Sequence, residues 1–229
     1  IDWMPKVGFN AYFMQFREGF TFFDRWYSHT GHPTLQRNGF TVEQARALVQ
    51  TISTEAKKRD MLYHAVGHGW TCEPFGMAGL GWEYPPEPAP PEATKHLALV
   101  NGKREVWEGI PLNTSLCYSN PEVRAIMTDS VVMYAAEHPE VDIIHFWLAD
   151  GMNNQCECDT CKTARPADWY VMILNELDSK LSARGLATRI VFLAYFDLLW
   201  PPEHERIQNP DRFILMFAPI TRTYSTPFS

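Results

Sequence analysis

VDIIHFWLADGMNNQCECDTC, residues 141–161, decides how the rest of the chain is read. Its first half is almost continuously apolar (Ile143, Ile144, Phe146, Trp147, Leu148), the pattern of a strand buried on both faces. The run reaches a carboxylate at Asp150, breaks at Gly151, and opens into Cys156, Cys158 and Cys161. A strand that ends in an acid and then opens into a polar loop is where an α/β protein tends to place its chemistry.

Outward from that stretch, the periodicity changes from strand-like to helical on both sides. Upstream, Asn120-Pro121 starts a helix with proline at its first position. Val123, Ile126, Met127, Val131, Tyr134 and Ala135 line one face of it, and the short link HPEVD leads into the strand. Downstream, Pro166 precedes a helix with the face Tyr170, Ile173, Leu174, Leu177 and Leu181, stopped by Gly185. TRIVFLAYF (188–196) is the next strand, and the proline-broken loop LLWPPEHERIQNPD separates it from a last one, RFILMFAPI (212–220).

Towards the N-terminus, PKVGFNAYFMQF (5–16) reads as a buried strand and residues 17–40 as a long loop. Thr41 with Gln44 forms a capping box for a helix whose apolar face is Val42, Ala45, Leu48, Val49, Ile52 and Ala56. Lys57, Lys58 and Arg59 suit the negative end of its dipole. MLYHAVGHGW (61–70) follows as a second strand. Residues 67–119 are the largest irregular region, and the run EYPPEPAPPE within it reads as a surface loop, unable to enter a sheet interior or a helix.

Strands alternating with helices predict parallel β-α units. Every helix-to-strand link is short, and every strand-to-helix link is long and rich in Trp, His, Tyr and acids. The elaboration therefore lies at the C-terminal ends of the strands, the functional face of a barrel or open α/β sheet. No G-x-G-x-x-G or phosphate loop follows a strand, which argues against nucleotide binding. Tryptophans and acids at strand ends predict an α/β fold of the (β/α)8 TIM type. Five strands are present where a closed barrel needs eight and typically about 250 residues. The expectation is a partial or truncated barrel, one catalytic-type domain over residues 1–229, cut from a longer chain that carries further domains.

The bulk numbers narrow the partners. A net charge of −7 with no Lys/Arg run argues against a nucleic-acid surface. No apolar run approaches the roughly 18–20 residues of a membrane span. Aromatics are 14% of the chain, and many fall in loops (Trp26, Tyr27, Trp70, Trp82, Tyr84, Trp107, Tyr118). Such rings anchor loops, and as a set they also suit the C–H faces of sugar rings. The odd count of five cysteines favours a reduced compartment, the cytoplasm over export, or a metal cluster.

Asp150 is the first candidate for chemistry. Partial desolvation at the end of an apolar strand would raise its pKa towards that of a general acid; the other reading is a loop anchor. Glycoside hydrolysis uses two carboxylates, and Asp197, Glu73 and Glu157 are candidate partners. His64 and His68 flank the end of the second strand and read either as a metal pair or as turn residues beside Trp70. His145 reads as a core histidine. The C-x-C-x-x-C cluster could supply three ligands to a structural Zn²⁺, with a fourth from Cys72 or Cys117. A disulfide with one free thiol, or unpaired thiols, are the other readings. A catalytic cysteine is not expected, because no His base is spaced for it.

IDWMPKVGFNAYFMQF resembles the first barrel strand of family 20 glycoside hydrolases, the β-N-acetylhexosaminidases, with their Lys-x-x-x-Asn step. TVEQARALVQTISTEAKKRDMLYHAVGHGW is similar to their next helix and strand, with Val66-Gly67-His68 where those enzymes have Pro-Gly-His. LCYSNPEVRAIMTDSVVMYAAEHPEVDIIHFWLADG resembles the unit that closes in their catalytic Asp-Glu pair. Asp150 falls on the Asp, and Gly151 falls on the Glu. The fuller pattern also holds LCYSNPEVR, Asp-Gly before C-x-C-x-x-C, AYFD and FAPITRTYS. It resembles the bacterial domain of unknown function 4838 family, related to family 20 and α-glucuronidase barrels. That resemblance implies a glycoside hydrolase with a carbohydrate substrate and no cofactor required for catalysis. Asp150 is its expected catalytic carboxylate, or orients the substrate, with Asp197 or Glu73 as the candidate second carboxylate. His64, His68, Trp70, Trp147 and Tyr195 are expected to line the sugar site. A non-catalytic sugar-binding domain and a metal-dependent hydrolase using His64 and His68 are the alternatives.

Overall fold

The computed structural model describes residues 1–32, 34–36, 39–82 and 88–227. Five parallel strands lie side by side in chain order: β1 (Ala11–Gln15), β2 (Leu62–Gly67), β3 (Ile143–Phe146), β4 (Arg189–Ala194) and β5 (Phe213–Phe217). The sheet is not closed, and β1 and β5 form its edges. The helices are α1 (Trp3–Lys6), α2 (Phe20–Ser28), α3 (Val42–Lys57), α4 (Pro91–Thr94), α5 (Pro121–Glu137) and α6 (Pro166–Ala183).

Neighbouring parallel strands in consecutive order need crossovers of one hand, and that puts the connecting helices on one face. The core sits between that face and the helices. Met14, Tyr63, Ala65, Ile144, Phe146, Ile190 and Phe213 come from the sheet, all on one side of the pleat. Ala45 and Ala56 of α3, Met127 and Val131 of α5, and Ile173, Leu174, Leu177 and Leu181 of α6 meet them. Each fully buried aliphatic side chain contributes about 1.5–3 kcal/mol, so the three apolar stripes hold the sheet.

The caps match the expectations. Thr41 Oγ1 accepts from the Gln44 amide at 3.2 Å and Gln44 Oε1 accepts from the Thr41 amide at 2.9 Å, the full capping box. Asn120 Oδ1 accepts from the Glu122 amide at 2.9 Å, with Pro121 at the first position. Gly185, at φ +66, follows the end of α6. No α-helix joins β4 to β5; the proline-broken loop holds only 3₁₀ turns at Phe196–Leu199 and Pro210–Arg212. Buried Asp168 in the first turn of α6 fastens this loop by accepting from the His204 and Glu205 amides at 2.7 and 2.9 Å.

Three boundaries differ from expectation. The first strand starts at Ala11, because Pro5 lies in the one-turn helix α1 and Gly8 turns the chain at φ +94. The segment 17–40 contains α2, whose N-cap is Gly19 at φ +56 rather than a Ser, Thr, Asp or Asn that would signal a start. Pro91, in the run expected to exclude helix, opens α4, where a missing amide proton costs nothing. Residues 83–87, including Tyr84 and the first half of the proline run, lie outside the described residues. Among the described residues no helix is long and apolar enough to cross a membrane.

Candidate functional site

Backbone strain is present at or just after the ends of four strands. Phe16 after β1, Val66 in β2, Asn153 in the loop after β3 and Phe196 after β4 all have positive φ, at 66, 78, 55 and 46°. For a β-branched residue such as Val66 that region is an outlier, and strain of this kind concentrates at ligand clamps and active sites. Gly67 follows at φ +100, and a Cβ there would stand 3.1 Å from the Trp147 ring.

Asp150 and Tyr195 meet at this edge. The Tyr195 hydroxyl donates to Asp150 Oδ1 at 2.6 Å, joining the ends of β3 and β4. Burial, and then the neighbouring carboxylate, push the Tyr195 phenol up from its ordinary value, so it remains a neutral donor. Asp197, two residues further on, accepts from the Asn153 amide through Oδ2 at 2.9 Å. The loop after β3 is thus tied twice to the end of β4, once by each acid. Next to this tie lies a cavity of about 450 Å³, lined in part by Asn153, Gln155, Glu157, Trp169 and Asp197.

His68, Trp82 and Trp147 form an aromatic wall on the same edge. The His68 ring meets the edges of Trp147 and Trp82 at centroid distances of 5.0 and 5.7 Å. His68 Nδ1 lies 3.1 Å from the Leu148 carbonyl. Burial lowers its pKa against the opposing pull of Asp150, so the ring is neutral at pH 7. A neutral ring that donates from Nδ1 presents Nε2 as an acceptor. The Trp147 indole nitrogen is buried without a hydrogen-bond partner among the described residues. Trp82 donates from Nε1 to Asn113 Oδ1 at 2.9 Å and is 37% exposed.

One layer below, on the helix-free face of the sheet, Phe13 stacks on His145 at 4.1 Å and 17°. His64 Nδ1 lies 3.0 Å from His145 Nε2. Burial lowers both imidazoles, His145 to about 4 with His64 adding to the effect. His64 and His68 thus have different partners. His145, expected as a satisfied core residue, has no partner for Nδ1 among the described residues.

Trp70 and Glu73 belong to another group. Trp70 is fully buried, donates from Nε1 to the His145 carbonyl at 2.9 Å, and carries the Arg17 guanidinium over its ring at 4.7 Å. Its ring is buried, with that guanidinium over one face. Glu73 Oε2 pairs with Arg17 Nε at 3.0 Å. Burial pushes its carboxyl up to about 7 against the pull of Arg17. A Cβ at Gly79 would come within 2.6 Å of Glu73 Oε1, so the acid is packed into its own loop.

Gly151 has a steric reason. A Cβ there would lie 2.5 Å from Asn154 Nδ2 and 3.1 Å from the Asn113 carbonyl oxygen. Asn154 is buried and donates from Nδ2 to that same carbonyl. The space a side chain would use is taken by this bond.

The three cysteines of C-x-C-x-x-C gather with Cys117, not Cys72. The four sulfurs lie within 4.8 Å of one another, and all five cysteines are free. Cys72 is buried elsewhere, its thiol on the Gly69 carbonyl. Cys156 is held down to about 4 by the proton that Cys161 shares with it, and Cys161 is correspondingly raised. With Ala98, Leu99 and Val100 the cysteines form a small apolar cluster apart from the main core. Among the described residues this is the one group of three or more His, Cys, Asp or Glu side chains placed to hold an ion.

The family model described as a domain of unknown function, DUF4838, matches residues 26–229. The chain belongs to the DUF4838 family. No curated protein matches it.

Every side chain of the DUF4838 strand-end site except those of β1 lies inside the matched span. The structure brings Asp150, Asp197, Tyr195, His68 and Trp147 to one edge and sets Trp70 and Glu73 apart. Three contributors were not singled out from the sequence. Phe13 and Asn113 act through partners far along the chain, His145 and Trp82, and Asn154 through its grip on Asn113. Only the strand register and loop packing bring these pairs together.

Proposed function

We propose that this DUF4838 domain binds carbohydrate at the C-terminal edge of its sheet and hydrolyses a glycosidic bond there, its five strands forming part of a (β/α)8-type barrel. The observation that carries the reading is the Tyr195–Asp150 pair at the strand ends, with His68, which feels the Asp150 charge, packed on the part-exposed Trp82 ring. A sugar offers an apolar C–H face for stacking and hydroxyls for the polar atoms. Consecutive parallel order, helices on one face and long loops at the C-terminal ends support the barrel.

In this reading Tyr195 orients the Asp150 carboxylate, which acts at the anomeric carbon or on the water that attacks it. His68 accepts a sugar hydroxyl through Nε2. Asp197 is the second carboxylate, close through its bond to Asn153. Hydrolysis adds water across the C–O bond: the anomeric carbon gains the hydroxyl and the leaving oxygen gains the proton. Glu73, bound to Arg17, keeps a structural part. The cysteine cluster takes no catalytic step and is read as a structural zinc site.

The test is a panel of oligosaccharides and aryl glycosides, followed together by calorimetry and by product chromatography. Binding with product supports the reading. Binding without product assigns a sugar-binding module, and neither overturns the carbohydrate reading altogether.

A further inference from the structure

We propose that Cys117, Cys156, Cys158 and Cys161 bind one zinc ion as four thiolates, and that this ion clamps the loop after β2 to the loop after β3. The clamp deepens the structural reading of the cysteines given above and is independent of the carbohydrate reading. Zn–S bonds of about 2.3 Å in tetrahedral array set neighbouring sulfurs roughly 3.8 Å apart. Cys117 Sγ stands 3.7 Å from Cys158 Sγ and 3.9 Å from Cys161 Sγ. Four soft donors at that spacing select zinc over hard cations, which take oxygen ligands.

The surroundings are those a tetrathiolate needs. Such a centre carries net charge −2, and backbone amides and a cation offset it. The Leu99 amide donates to Cys156 Sγ at 3.3 Å and the Cys161 amide to Cys158 Sγ at 3.4 Å. The Arg104 guanidinium, which donates to the Leu97 carbonyl, adds a positive charge that interacts favourably with Cys117 and Cys156. Partners of this kind orient metal ligands and tune the centre.

The ligands come from two loops, and so do the bonds around them. Cys117 belongs to the loop after β2; the other three follow β3. Between these loops the Asp150 amide donates to the Leu112 carbonyl at 2.9 Å and the Glu157 amide to the Leu99 carbonyl at 2.7 Å. The Asn101 amide donates to Glu157 Oε2 at 2.8 Å. Few apolar side chains back this seam. A metal crosslink therefore supplies the hold that a larger core would give elsewhere, and it does so five residues from Asp150–Gly151 in the chain.

The experiment uses the whole chain purified under reducing conditions, with zinc measured by elemental analysis on wild type, Cys117→Ser and Cys72→Ser. One zinc per chain is expected in wild type and in Cys72→Ser. Cys117→Ser should lose affinity by more than the roughly 10–100-fold that an outer-shell partner costs. Should Cys117→Ser not fold, wild type stripped by a chelator replaces it. Amide exchange at Leu99, Asp150 and Glu157 should then quicken by about tenfold or more, and return on adding zinc alone. Folded wild type that takes up no zinc, cysteines paired in disulfides by mass spectrometry, or iron in place of zinc overturns the site. Equal zinc loss in Cys72→Ser and Cys117→Ser overturns the ligand set. Unchanged exchange with zinc removed overturns the clamp alone. None of these readouts needs a sugar, so the glycan panel can fail while the zinc site stands.

Discussion

Asp150→Asn is expected to fold as the wild type does and to lose hydrolytic turnover by about 10³-fold or more, within or above the roughly 10²–10⁴-fold that a positioned proton-transfer group contributes. The substitution is isosteric, and the Tyr195 hydroxyl can still donate to the amide oxygen in place of Oδ1. Asp150 is half-buried at the end of β3 and its backbone amide is held by the Leu112 carbonyl, a bond the side chain does not share. Thermal stability should therefore move by less than about 1 kcal/mol. Turnover of Asp150→Asn on a cleaved glycoside, set against its melting temperature, checks both halves. Equal turnover would remove Asp150 from the chemistry; a collapsed fold would make it a loop anchor.

Gly151→Glu, which would rebuild the acidic pair of the family 20 enzymes, is expected to destabilise the protein by about 1–3 kcal/mol and to gain no hexosaminidase activity. The Cβ alone would press on Asn154 Nδ2 at 2.5 Å, and moving Asn154 breaks its bond to the Asn113 carbonyl. Asn113 also accepts from the Trp82 indole through Oδ1. The damage should thus spread to the aromatic wall. Gly151→Ala separates the effects: it carries the Cβ without the charge and should show most of the destabilisation in a denaturant titration. Wild-type stability for both variants, or new N-acetylhexosaminidase turnover in Gly151→Glu, would contradict this. The glycine is therefore part of how the two loops pack.

The parts of the fold that were legible in the sequence are those with a local chemical signature. Thr41 with Gln44, Asn120 with Pro121, and Gly185 mark helix ends by side-chain and backbone rules acting within a few residues. The near-continuous apolar run from Ile143 to Leu148 reads as a strand buried on both sides, and each residue of β3 is buried. Where local signals are absent, the structure adds what the sequence does not show. Gly19 caps α2 through its positive φ rather than a side-chain oxygen, and Trp70 looks in sequence like any loop aromatic. The site was half legible for the same reason. Asp150, Tyr195 and Asp197 follow strands and so could be placed at one edge. The choice of Cys117 over Cys72 as the fourth sulfur depends on how a loop of some fifty residues folds back, which no spacing rule reports. The strained Val66 is harder still, because a β-branched residue is the last one expected at φ +78.

The most direct test of the strand-end sugar site is the indole N–H resonance of Trp82 during titration with an oligosaccharide. Its ring is 37% exposed and packs on His68, and its nitrogen donates to Asn113 Oδ1 at 2.9 Å. A sugar stacked on that ring should shift the resonance in step with binding, in wild type and in Asp150→Asn alike. Saturable binding that leaves Trp82 unmoved would place the sugar elsewhere and contradict the site.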